Sequence, residues 1–200
     1  MVKTKRLYVL DIDGVLANIE HRMEHMRNKD YDKFYDGNLV AQDKKIDAFE
    51  PIYEQIRGMA WRDMEIVFVT GRPERLRPVT DLWIEHNWPM FSGKLYEMYM
   101  RKDHDYRPSP IVKQEMVEKY LDGKEFDEIV IVDDDPENVK AMSIVAYNAN
   151  NRPTVTPITF GIFRLSGSGP STSSEVTPDT DKSSQKSQRF AFRGLRSRRR

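Results

Sequence analysis

The chain has 200 residues, 38% of them hydrophobic and 32% charged, with 32 basic groups against 32 acidic ones. That length suits one domain with a proper core, and no run approaches the roughly 18 apolar residues of a membrane span, so no membrane partner is expected. There is no cysteine, which excludes disulfides and thiolate chemistry and leaves carboxylates, histidines and hydroxyls as reactive groups.

In chain order, the basic stretch before Leu7 runs straight into the apolar Leu7–Leu10. This reads as a strand, not as the core of a signal peptide, and makes the cytoplasm the expected compartment. Asp11-Ile12-Asp13-Gly14 follows it. Residues Asn18–Lys45 are polar with scattered aromatics, which predicts one or two short helices and a loop inserted over the site. Ala48, Phe49, Ile52, Ile56 and Met59 recur at helical spacing. Glu65–Val69 is a second strand, closed by Thr70-Gly71-Arg72. Val79, Leu82, Trp83 and His86 mark another helix, and Leu95–Met100 is a less regular strand. Pro110 opens a helix through Ile111, Val112, Met116 and Tyr120. Ile129–Val132 is a further strand, ending in Asp133-Asp134-Asp135, with Pro136 opening the next helix.

Strands alternating with helices predict an α/β fold on a central parallel sheet. Strands that are apolar nearly throughout predict a sheet covered on both faces. Residues 1–165 are read as this domain. From Ser166 the composition collapses into a Ser-rich linker to Gln188, and Arg189–Arg200 holds six Arg with Phe190, Phe192 and Leu195. Beyond Ser166 eight Lys/Arg face three Asp/Glu, so the first 165 residues are acidic by five. A basic disordered tail on an acidic body is the pattern of a segment that meets nucleic acid.

Ligands of parallel sheets sit at the carboxyl ends of the strands, and three strands here end in polar residues. Asp11 and Asp13 repel each other unless a cation lies between them or one is protonated. Mg²⁺, which takes a few carboxylates together with phosphate oxygens, meets that need. Three Asp after the fully apolar Ile129–Val132 exceed what helix capping uses, and supply further metal carboxylates. Thr70 with the amides around Gly71 can hold phosphate oxygens, Arg72 can fork onto a phosphate, and Lys113 can neutralise one. His21 and His25 lie four apart, but the absence of a third His or Cys ligand nearby weighs against zinc.

Taken in order, Asp11-x-Asp13-Gly14-Val15-Leu16, Thr70-Gly71-Arg72, Lys113 and Asp133-Asp134 resemble the four motifs of the haloacid dehalogenase (HAD) superfamily. The resemblance implies a Rossmann-like fold with a small helical cap and a Mg²⁺-dependent phosphatase. In it Asp11 is the nucleophile that becomes an aspartyl-phosphate, and Asp13 is first acid and then base. Thr70, Gly71 and Lys113 hold the phosphoryl group. Asp11, the backbone carbonyl of Asp13, and Asp134 bind the metal, with Asp133 in support.

A closer resemblance covers roughly residues 6–147. Ala17 through His21-Arg22, then Thr70-Gly71-Arg72-Pro73-Glu74, Tyr99-Met100-Arg101, Asp105-Tyr106-Arg107 and Ile111-Val112-Lys113 look like the 3′-phosphatase domain of bacteriophage polynucleotide kinase-phosphatases. That resemblance implies Arg22 and Arg72 at or around the substrate phosphate, and a phosphorylated nucleic acid or nucleotide as substrate. Ser109 departs from the pattern, which has an Asp four residues before the motif Lys. No Gly-x-x-x-x-Gly-Lys-[Ser/Thr] phosphate loop accompanies the match. Two other readings stand beside the polynucleotide 3′-phosphatase: a small-molecule phosphatase such as a 5′-nucleotidase, and a catalytically idle nucleic-acid-binding protein.

Overall fold

A computed structural model describes residues 4–92 and 96–161. The predicted linker and Arg-rich tail lie outside the described residues. In chain order the strands are β1 (Arg6–Leu10), β2 (Ala17–Asn18), β3 (Lys44–Lys45), β4 (Met64–Pro73), β5 (Glu97–Arg101), β6 (Glu128–Asp133) and β7 (Thr154–Thr159). Five of them form a parallel sheet in the order β5-β4-β1-β6-β7, while β2 and β3 pair antiparallel.

Side-chain alternation divides each central strand between two cores. Tyr8 and Leu10, Ile66 and Phe68, and Val130 and Val132 face one side with Phe49, Trp83, Ile84 and Trp88. Leu7 and Val9, Val67 and Val69, and Ile129 and Ile131 face the other with Val112, Met116, Val117 and Met142. Helices α4 (Glu50–Arg57) and α5 (Arg77–Asn87) supply apolar side chains to the first core, and α6 (Ser109–Leu121) and α7 (Pro136–Tyr147) to the second. This is why the central strands carry no polar face, as a sheet covered on both sides demands.

Residues 19–43 lie between β2 and β3. They form three short helices, α1 (Met23–Arg27), α2 (Tyr31–Phe34) and α3 (Gly37–Val40), after a single 3₁₀ turn. The sequence predicts one or two helices there. The third exists because Asp30 and Asp36 each cap a new start, accepting from the amides of Lys33 and Asn38. Strand β7 was not foreseen either. Its Pro157 is unusual for a strand, but β7 is an edge strand pairing only with β6, where a missing donor is tolerated.

Candidate active site

Register brings the site together. Leu10 lies beside Phe68 on β4 and Val132 on β6. The next residue on each strand is therefore level: Asp11, Val69 and Asp133, with Thr70 one step further. The Asp11 amide keeps the ladder going, donating to the Val132 carbonyl at 2.9 Å. The chain then turns sharply. The amides of Leu16 and Ala17 both donate to the Ile12 carbonyl, and Gly14 adopts φ 83°. That backbone favours glycine, and a Cβ there would run into the carboxylate of Asp134 and displace it.

Lys113 projects from the first turns of α6 into the strand ends. Its Nζ lies 2.7 Å from Asp11 Oδ2 and 2.7 Å from Asp133 Oδ2, and the side chain is buried. Burial works against its charge, but Asp11 and Asp133 outweigh burial and hold the ammonium above its ordinary pKa. Asp133 is tied on its other oxygen as well, accepting from the Asp135 amide and Asn138 Nδ2, each at 3.0 Å. It is a fixed internal support. The Asp13 carboxylate is held instead by Arg22 of the insertion and Arg72 of β4.

Asp11, Asp133 and Asp134 can each offer an oxygen within 4.8 Å of the others. The donor set fits a hard divalent cation. Three carboxylates and one ammonium leave two negative charges, the charge that one such ion would cancel. Burial, with Asp133 and Asp134 adding to it, holds the Asp11 carboxyl well above its ordinary range despite Lys113. Asp134, open to solvent on one side, is pushed up to about 6 by the protein around it and then by Asp133. Asp11 Oδ1 is buried with no hydrogen-bond partner among the described residues, a cost that a cation or an incoming phosphorus atom would remove.

Asp13 has a different environment. Arg22 Nη2 donates to its Oδ1 at 2.9 Å and Arg72 Nε at 2.8 Å. Both guanidinia also hold Asp43, through Arg22 Nε at 2.8 Å and Arg72 Nη2 at 2.6 Å. Arg22, Arg72 and Asp43 are buried. Burial alone would raise the Asp13 carboxyl, but Arg72 and Arg22 more than offset it and bring it down to about 2. Arg22 and Arg72 are thus spent on two carboxylates, with Arg22 Nη1 on the Phe34 carbonyl and Arg72 Nη1 on Thr80 Oγ1.

Thr70 is buried, and its Oγ1 accepts from the Arg72 amide at 3.2 Å, which leaves the hydroxyl proton available to donate. The Gly71 carbonyl accepts from Tyr35 Oη and Arg101 Nε, each at 3.3 Å, so the peptide after Gly71 is held from both sides. His21 turns to the Leu39 carbonyl, at 3.1 Å, and joins no metal-ligand cluster among the described residues. The sequence reading missed Asp43, which sits in the polar run Ala41-Gln42-Asp43-Lys44-Lys45 and looks there like loop. The available signal was indirect: two buried Arg need more than one carboxylate.

A parallel sheet with a nucleophile-type Asp after β1, a hydroxyl near the end of β4, a helix-borne Lys and a paired Asp where β6 ends defines a HAD-type phosphatase with a Rossmann-like fold. More narrowly, the profile of the polynucleotide kinase PNKP phosphatase domain matches residues 5–145, and the chain belongs to that family. No curated protein matched the chain. Among solved structures, it is similar to one titled the Pnkp1/Rnl/Hen1 RNA repair complex, at 17% identity and TM-score 0.55, over 82% of this chain and 45% of that one. A second Pnkp1/Rnl/Hen1 complex matches at 18% identity and TM-score 0.55, over 82% and 49%. The HAD domain of effector protein Lem4 from Legionella pneumophila, an inactive mutant, matches at 14% identity and TM-score 0.49, over 80% and 88%. The chain spans about half the length of the chains it matches in those complexes. No helix among the described residues is long and apolar enough to cross a membrane.

Proposed function

We propose that this phosphatase removes the 3′-terminal phosphate of a polynucleotide, using Mg²⁺ and a covalent phosphate on Asp11. The observation that carries the reading is the buried Asp11 carboxylate, with Oδ2 held by Lys113 and Oδ1 unpartnered, in a chain of the PNKP phosphatase family. In the first step Asp11 forms a bond to phosphorus while the bond from phosphorus to the leaving sugar oxygen breaks. Lys113 and the Thr70 hydroxyl take the phosphoryl oxygens, whose charge they neutralise. Asp11, Asp134 and the Asp13 carbonyl would hold the Mg²⁺, supported by Asp133, and the ion would lower the repulsion between the carboxylate and the phosphate.

Asp13 hands the leaving oxygen its proton and later takes one from the water that attacks the phosphoenzyme. Its two Arg partners keep it ionised, which suits the second step directly. For the first step the carboxylate must be loaded with a proton, and a phosphate monoanion can bring it. Arg22 and Arg72 act in this scheme by aiming Asp13 at the leaving group. The catalytic unit is residues 1–165, in the cytoplasm, with the basic tail from Ser166 as an added contact to nucleic acid.

The test is phosphate release from a 3′-phosphorylated oligonucleotide, a 3′-mononucleotide, a 5′-mononucleotide and an aryl phosphate. The oligonucleotide should have the highest kcat/KM. Ser109, standing at the mouth of the site where the family pattern has Asp, favours one alternative, a small-molecule phosphatase. A preference for the 5′-mononucleotide, with Ser109→Asp harmful, would decide for it.

A further inference from the structure

Beside the catalytic residues lies a cleft of about 610 Å³, within the roughly 300–1,000 Å³ of small-ligand sites. Gly71 and Ser109 are on its wall, so it begins one residue from Thr70. Of the three tyrosines that line it, two are exposed and come from different elements: Tyr31 at the start of α2, 48% exposed, and Tyr106 in the loop between β5 and α6, 83% exposed.

The loop that carries Tyr106 is held firmly. Arg101 Nη1 donates to the Asp105 carbonyl at 3.1 Å and to the Arg107 carbonyl at 2.7 Å, gripping the backbone on both sides of the tyrosine. Arg107 Nη2 reaches Asp105 Oδ2 at 2.8 Å, and its Nη1 reaches Glu115 on α6 at 2.7 Å. The Arg75 amide and guanidinium both donate to Asp103. A single exposed aromatic needs no explanation. One held out to solvent by a loop pinned on either side, on the wall of a cleft beside a phosphoryl site, is a preformed surface for a flat ligand. The charges agree. Among the described residues of the cleft, Arg75, Arg101, Lys102 and Arg107 face Asp32, Asp103 and Asp105, a surplus of one positive charge for a phosphodiester to meet.

We infer that Tyr106, with Tyr31 beside it in the cleft, is a stacking platform for the nucleobase at the phosphorylated end of a single strand. This rests on the polynucleotide reading above. Every base has a ring face, so the platform accepts any terminal base without selecting its sequence.

The test compares two 3′-phosphorylated oligonucleotides, alike except that one lacks its terminal base, with an aryl phosphate as control. Tyr106→Ala should raise KM for the intact end roughly tenfold or more, the effect of losing one stacked base. It should leave KM for the abasic end and turnover of the aryl phosphate unchanged, and Tyr106→Trp should restore binding of the intact end. Equal KM values for both ends in the wild type, or a Tyr106→Ala effect of the same size on both, would overturn the platform while leaving the 3′-phosphatase reading intact. Turnover of the aryl phosphate with neither oligonucleotide hydrolysed would sink that reading and the platform with it.

Discussion

Arg72 reaches the carboxylate of Asp13 across 59 residues of chain, its Nε 2.8 Å from Oδ1. The contact joins the end of β4 to the turn after β1, and Asp43 from the insertion closes the arrangement beneath it. The acid–base group of the proposed reaction is therefore fixed by buried charges, not by the backbone turn alone.

Removing Asp43 should expose that dependence. Asp43→Ala leaves two buried guanidinia to share one carboxylate, and breaking such a pair from one side costs about 3–5 kcal/mol. Urea unfolding should show a loss of that order, and phosphate release should fall with every substrate because Asp13 is no longer aimed. A variant as stable and as active as wild type would show that the arrangement does not hold Asp13.

The roles given to Asp11 and Asp13 fail differently. Asp11→Asn should abolish turnover and acid-stable labelling of the protein by phosphate. Asp13→Asn should slow turnover by roughly 10²–10⁴-fold on a sugar leaving group, the worth of a placed acid–base group. The loss in phosphoenzyme formation should be smaller with an aryl phosphate, whose oxygen departs without a proton. Equal losses on the two substrates would contradict the assignment.

How much of this was legible beforehand varied with the kind of signal. The three inner strands and the helices after them were visible because burial on both faces leaves only apolar residues, and Pro110 and Pro136 mark helix starts. The motif residues were visible because charge directly after such strands has few structural uses. The arrangement around Asp13 was not. The resemblance implies Arg22 and Arg72 at or around the substrate phosphate, and a guanidinium looks the same in sequence whether its partner is a ligand or a buried carboxylate. Asp43 resembled its exposed neighbours Gln42 and Lys44, and only the fold turns it inward.

Gly14 offers a separate route to the metal. Gly14→Ala puts a methyl group where Asp134 Oδ2 now lies and requires a residue with a side chain at φ 83°. Titrating Mg²⁺ into the chelator-treated enzyme should show a much weaker apparent affinity in this variant and in Asp134→Ala. Chelation should silence the wild type and Mg²⁺ should restore it. Full activity in excess chelator would end the metal reading.

A pH effect on stability should arise far from the site. Glu65 lies 2.7 Å from Lys5 Nζ and accepts from Tyr120 Oη at 2.7 Å. Burial alone would raise its carboxyl, but the bonds from Lys5 and Tyr120 outweigh it and hold the group below its ordinary value of 4.5. A carboxyl depressed in the fold contributes stability above its unfolded pKa and loses it as pH falls through the folded one. Glu65→Gln should therefore destabilise the protein near pH 6, and the gap should narrow as the pH falls below 4.5 and through the depressed folded pKa. A gap independent of pH would assign the effect to packing.

The place of β1 in the sheet carries a consequence for how the molecule breathes. It is bonded on both sides, to β4 and to β6, whereas β7 pairs on one side only and the β2–β3 ladder has two residue pairs. Amide hydrogens of Tyr8 to Leu10 should then be among the slowest to exchange with solvent, and those of β7 and the insertion among the fastest. Asp11, bonded through its amide to β6 directly after β1, is thereby anchored to the most persistent part of the fold.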